Sequence, residues 1–81
     1  MAMDSSLSAQ LESVLRKAAG DGTALASMTI DYAGEAESQT LSSKAWVERA
    51  TRSLVFAQGE LRRADGALAA SASAVFRRSG D

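Results

Sequence analysis

The dipeptide Asp65-Gly66 constrains this chain more than any other feature. It separates two segments, residues 53–62 and 67–77, that pair well as a hairpin. A tight hairpin turn needs residues that accept a left-handed backbone, and Asp-Gly supplies them. In the first segment Val55, Ala57, Gly59 and Leu61 share one side, with Leu54 and Phe56 on the other. The return segment holds Ala69, Ala70, Ser71, Ala72, Ser73 and Ala74, a run that reads as helix by itself. Paired through Asp65-Gly66, it reads instead as a strand whose small side chains let a helix lie close.

Upstream, residues 39–49 alternate again, with Leu41, Ala45 and Val47 on one face and Thr40, Lys44, Trp46 and Glu48 on the other. Ala50-Thr51-Arg52 is the turn between this strand and the next. Residues 23–33 form a further half-buried strand, with Ala26, Met28, Ile30 and Tyr32 on one face and Ser27, Thr29 and Asp31 on the other. Gly34-Glu35-Ala36-Glu37 is a polar break. Before these strands, Leu7, Leu11, Val14, Leu15 and Ala18 recur at helical spacing, so residues 6–19 form an amphipathic helix. Asp4, Ser5 or Ser6 caps its start. Arg16 and Lys17 complement the dipole in its last turn, and Gly20 and Gly22 end it. The expected class is α+β: one helix packed on a curved four-stranded antiparallel sheet, residues 1–81 making a single minimal domain.

A chain of 81 residues without cysteine has neither a large core nor a disulfide to stabilise it. Association of copies is the remaining route, and a homo-oligomer is expected. Histidine is absent as well, which removes the commonest metal ligand and the commonest general base. No metal site and no bound cofactor are expected. Nine basic and ten acidic residues give a net charge of −1, which argues against a nucleic-acid-binding surface. No apolar run is long enough to span a membrane. The N-terminus lacks the basic and apolar regions of a secretory signal. The cytoplasm is the expected location.

Three stretches, Ala26-Ser27-Met28-Thr29-Ile30-Asp31-Tyr32, Ala50-Thr51-Arg52-Ser53-Leu54-Val55-Phe56 and Ala64-Asp65-Gly66-Ala67-Leu68-Ala69-Ala70, follow in a characteristic order. Together they resemble the hot-dog acyl-CoA thioesterases of the phenylacetate-degradation type. The resemblance runs from about Leu7 to Phe76. That family usually has a strand before its central helix, for which this chain has no room. It also opens the helix with a His-Gly-Gly run, which would fall near Met3-Asp4-Ser5 and is not there.

The resemblance implies an acyl-CoA or related thioester as substrate, with coenzyme A present only as part of it. It makes Glu12 the acid of the helix, acting as base or nucleophile. An ordinary surface glutamate paired with Arg16 is the other reading of that residue. Ser5 and Ser6 stand where helix amides would bind an oxyanion, or they are plain N-caps. Antiparallel order gathers Arg49, Arg52, Arg77 and Arg78 at one end of the sheet. There, with Thr51 and Ser53, they would hold coenzyme A phosphates, or form an ordinary charged surface. Arg62 and Arg63 fall at the opposite end as solubilising residues. The resemblance also puts residues 24–32 at the edge where two subunits pair, in a homodimer or homotetramer. Trp46 is expected in a subunit contact ahead of an acyl pocket, and Asp31 and Tyr32 in packing. Two functions remain open: thioester hydrolysis at a dimer interface, or a non-catalytic hot-dog domain that binds an acyl or CoA ligand or serves assembly alone.

Overall fold

A computed structural model of the chain describes residues 7–33 and 41–78. The helix cap, the polar break after Ala33, the first residues of the 39–49 strand and the Ser79-Gly80-Asp81 tail lie outside them. The elements are α1 (Leu7–Ala19), β1 (Thr23–Tyr32), β2 (Ser42–Ala50), β3 (Leu54–Arg62) and β4 (Leu68–Arg78). The strands form one antiparallel sheet in the order β1-β4-β3-β2. The α+β fold, one helix on four antiparallel strands, is as the sequence led us to expect.

One face of the sheet carries the helix. Leu11 and Leu15 of α1 are fully buried against Val55, Ala57 and Leu61 of β3 and Ala70, Ala72, Ala74 and Phe76 of β4. The small residues let the helix sit low. A Cβ added to Gly59 would meet Leu15 Cδ2 at 3.2 Å. No side-chain polar atom is buried without a hydrogen-bond partner among the described residues. The core is apolar throughout and is built from side chains of one to seven carbons.

The hairpin at Asp65-Gly66 is a three-residue loop. Arg63 N donates to Ala67 O at 2.9 Å, and Gly66 N to Arg63 O at 2.8 Å. Gly66 takes the left-handed backbone, with φ 90°. Asp65 acts through its side chain, accepting from Ala67 N at 2.9 Å. At the other end Thr51 N donates to Leu54 O at 2.7 Å, and Leu54 N donates to the Thr51 hydroxyl at 3.0 Å. That closes the β2–β3 turn over Thr51-Arg52-Ser53, one residue later than the spacing suggested. Gly20 and Gly22 leave the helix with φ 94° and 78°, as expected of its end.

Both edge strands are one residue longer than the ladder they serve. In β1, Leu25 pairs with Phe76 and Ser27 with Val75, so Ala26 is bulged out. This corrects the expected face. Leu25 packs on the core with Met28 and Ile30, and Ala26 is exposed; Tyr32, opposite Ala70, keeps the expected face but stands open at the end of the strand. The extra residue reverses the in-out alternation on one side of it. In β2 the same break falls between Val47, opposite Ala57, and Arg49, opposite Phe56. Leu41 and Ala45 pack against the core as expected. Val47 lies on the same face but is 43% exposed, because it overhangs the end strand of the sheet.

Candidate functional site

The helix presents two flanks with different surroundings. Gln10, Val14 and Lys17, with Ala9 and Ser13, border a groove of about 390 Å³ against Ser43 of β2. Two residues on from Gln10, Glu12 is rotated by about 200°, which puts it on the flank away from β2. α1 lies across β2 and β3 equally and reaches β4 and β1 less. Glu12 therefore stands on the side of the helix that looks over β4 toward the β1 edge.

The Glu12 carboxylate is already engaged. Arg16 donates to its Oε2 from Nε at 2.9 Å and from Nη2 at 2.6 Å. The pair is one helical turn apart and open to water, with side-chain exposures of 38% for Glu12 and 50% for Arg16. Two donors on one oxygen leave Oε1 as the oxygen with lone pairs directed elsewhere. Ser5 and Ser6 lie outside the described residues.

The four arginines do gather at one end of the sheet, but they divide between its faces. Arg77 pairs with Leu54 and Arg49 with Phe56, which puts both on the face away from the helix. Arg78 pairs with Thr23 on the other parity, and its backbone N donates to Ser53 O at 2.9 Å. Arg52 stands in the turn itself, at the tip. The Thr51 hydroxyl is used inside that turn, where it also donates to Leu54 O at 3.3 Å. A hollow of about 280 Å³ beside the Ala26 bulge is lined by Ala24, Leu25, Ala26 and Arg77. Sequence periodicity could not show it, because a bulge leaves no mark on residue type.

The helix fixes where these groups lie along the sheet. α1 ends at Ala19, only three residues separate it from Thr23, and Thr23 pairs with Arg78. The C-terminal end of α1 is therefore at the arginine end. Leu15 sits over Gly59 in mid-strand, and Glu12 lies about one turn further toward the Asp65 hairpin. Within one protomer, acid and arginines face different ends. At that far end Arg62 and Arg63 make ion pairs with Glu60 and Asp65, in keeping with a solvated surface role.

The family model described as the Thioesterase superfamily matches residues 2–70. The chain belongs to that superfamily. The match takes in Glu12 and the Arg52 turn and stops before Arg77. It names the thioesterase superfamily as a whole and does not single out the phenylacetate-degradation type within it. No curated protein and no solved structure matches the chain. Among the described residues of this thioesterase-superfamily chain, no helix is long and apolar enough to cross a membrane.

Proposed function

We propose that the chain hydrolyses an acyl-CoA thioester at an interface between two copies joined along β1. The observation that carries this reading is the opposition of Glu12 and the arginine end within a protomer of a thioesterase-superfamily fold. Pairing β1 with the β1 of a second copy, antiparallel about a two-fold axis, reverses the second sheet end for end. The arginine end of one copy then comes beside the Glu12 end of the other. The flank of α1 that bears Glu12 is the flank on that side.

In this reading Glu12 takes a proton from water as the oxygen attacks the thioester carbonyl. The amides that open α1, with Ser5 and Ser6 ahead of it, stabilise the oxyanion. The carbon–sulfur bond breaks, and the coenzyme A thiolate leaves and takes up the proton. The products are the free carboxylic acid and the thiol. Arg16 holds Glu12 Oε2, which leaves Oε1 to face the water. Arg52 of the second copy, at the tip that Thr51 and Ser53 shape, anchors the phosphates, and Arg49 and Arg77 meet them where they pass round the sheet end to the face away from the helix. A non-catalytic ligand-binding or assembly role is the second reading, favoured by the solvent-open Glu12–Arg16 pair.

The test is thiol release from short, long and aromatic acyl-CoA esters. Glu12→Gln keeps shape and hydrogen bonding, and turnover should fall by about 100-fold or more. Wild-type turnover with an unaffected Glu12→Gln would place the base elsewhere. No turnover on any ester, with coenzyme A still bound, would support the second reading.

A further inference from the structure

Among the described residues nothing pairs with the outer edge of β2, and that edge has an unusual surface. Three large hydrophobic side chains are exposed among the described residues, and two of them, Trp46 and Val47, are neighbours on this strand. Trp46 points to the face away from the helix, where its indole N donates to Glu48 Oε1 at 3.0 Å. Lys44 Nζ lies 5.8 Å from the centre of its ring. Lys44, Trp46 and Glu48 thus form one row on one face, a cation and an anion flanking an aromatic. Ala45 and Val47 form the row on the helix face. An open edge with this composition is an association site unless something covers it.

We propose that a second copy of this chain covers it, pairing β2 with β2 antiparallel in the register that sets Trp46 against Trp46. The row is its own complement in that register. Lys44 falls opposite Glu48 of the second copy, and Glu48 opposite its Lys44. Ala45 falls opposite Val47 on the helix face, which covers the exposed valine. The regular part of the added ladder runs from Ala45 to Val47 in each copy, and the bulged Glu48 of one copy closes its end beside Lys44 of the other.

The helices fit the same arrangement. A two-fold axis perpendicular to the sheet keeps both helices on one side of it. α1 lies midway over β2 and β3. The two helices are then roughly two strand spacings apart, about 10 Å, close to the ~8–10 Å at which helices pack. The groove bordered by Ala9, Gln10, Ser13, Val14 and Lys17 is the space between them. Small side chains at Ala9 and Ser13 suit so close an approach. This interface uses the edge and the helix flank opposite to those of the catalytic reading, so neither proposal depends on the other.

The chain has no cysteine, so introduced thiols report directly on neighbours. Lys44→Cys and Glu48→Cys are mixed and mildly oxidised. Facing positions put Cβ atoms about 4.5–5.5 Å apart, near disulfide reach. The mixed disulfide should exceed both homodisulfides by about tenfold, since Lys44 and its own copy lie several residues apart along the ladder. In a second arm, Lys44→Glu alone and Glu48→Lys alone oppose like charges across the axis. Each should sediment one association step smaller than wild type. Mixed together they have complementary rows and should recover the wild-type size. A mixed disulfide only about twice as abundant as each homodisulfide, as random pairing gives, or none at all, would overturn the proposal and leave the edge to another partner. A mixture that stays as small as its components, with both folded by circular dichroism, would overturn it too.

Discussion

Leu15 rests directly on the backbone of Gly59, so close that a methyl group on the glycine would sit 3.2 Å from Leu15 Cδ2 and 3.3 Å from Cγ. The contact joins α1 to β3, one of the two strands over which it lies. Gly59 is not in a left-handed conformation, so the requirement is space and not backbone freedom. Gly59→Ala should destabilise the fold by about 1–3 kcal/mol through overpacking. Leu15→Ala should cost about 2–5 kcal/mol through the cavity it leaves. The double variant should cost less than the sum, since the alanine methyl enters the emptied space. Chemical denaturation of the four proteins measures the coupling, and strict additivity would show that Leu15 moves freely off Gly59.

Asp65 gives the fold an acid-side dependence. The Ala67 amide donates to its carboxylate, and Arg63 lies beside it at 3.3 Å, so its pKa is held below the ordinary 3.8. The folded value is lower than the unfolded one. The ionised carboxylate therefore stabilises the hairpin fully above 3.8, and that contribution is lost as pH falls through the folded value. Asp65→Asn should flatten this part of the acid limb in thermal melts. A carboxyl titration of Asp65 by NMR at or above the ordinary value would contradict it.

The arginine end makes a claim that can be separated from catalysis. Titration calorimetry with coenzyme A should show binding that weakens as salt rises, since the contacts are between exposed charges. Arg52→Ala, at the tip between the two faces, should weaken it by about tenfold, the worth of one charge-assisted contact. Arg62→Ala at the far end should leave it unchanged. Equal affinity in Arg52→Ala, Arg49→Ala and Arg77→Ala would remove the phosphate role from this end.

Much of the fold was legible because local rules agreed with one another. The alternation in β3, the Asp65-Gly66 turn and the glycines after α1 all act within a few residues, and each holds in the structure. The alanine run of β4 contradicted its own propensity, and pairing with β3 decided it. What could not be read were the bulges. Ala26 is no different in type from alanines that keep the ladder regular, so the alternation puts it on the inward face that Leu25 takes in the structure. The site was legible only in part. The ends of the strands told which arginines gather, whereas the division of Arg49 and Arg77 from Arg78 depends on pleat parity after the bulge in β2 and at the end of β4. The groove beside Val14 was not legible, since the helical spacing puts Val14 on the core stripe and Gln10 and Lys17 carry nothing that singles them out.

The bulge at Ala26 also decides how β1 tolerates a change of length. Leu25 and Met28 both face the helix, with Ala26 and Ser27 between them. Losing Ala26 would leave Leu25, Ser27 and Met28 in plain alternation, every inward side chain still inward. Losing Thr29 instead would turn Ile30 outward and Asp31 into the core. A single-residue deletion in this strand is therefore nearly silent at one position and ruinous three residues on. Among relatives of this chain, length variation in the strand should concentrate at the point where the pleat already slips.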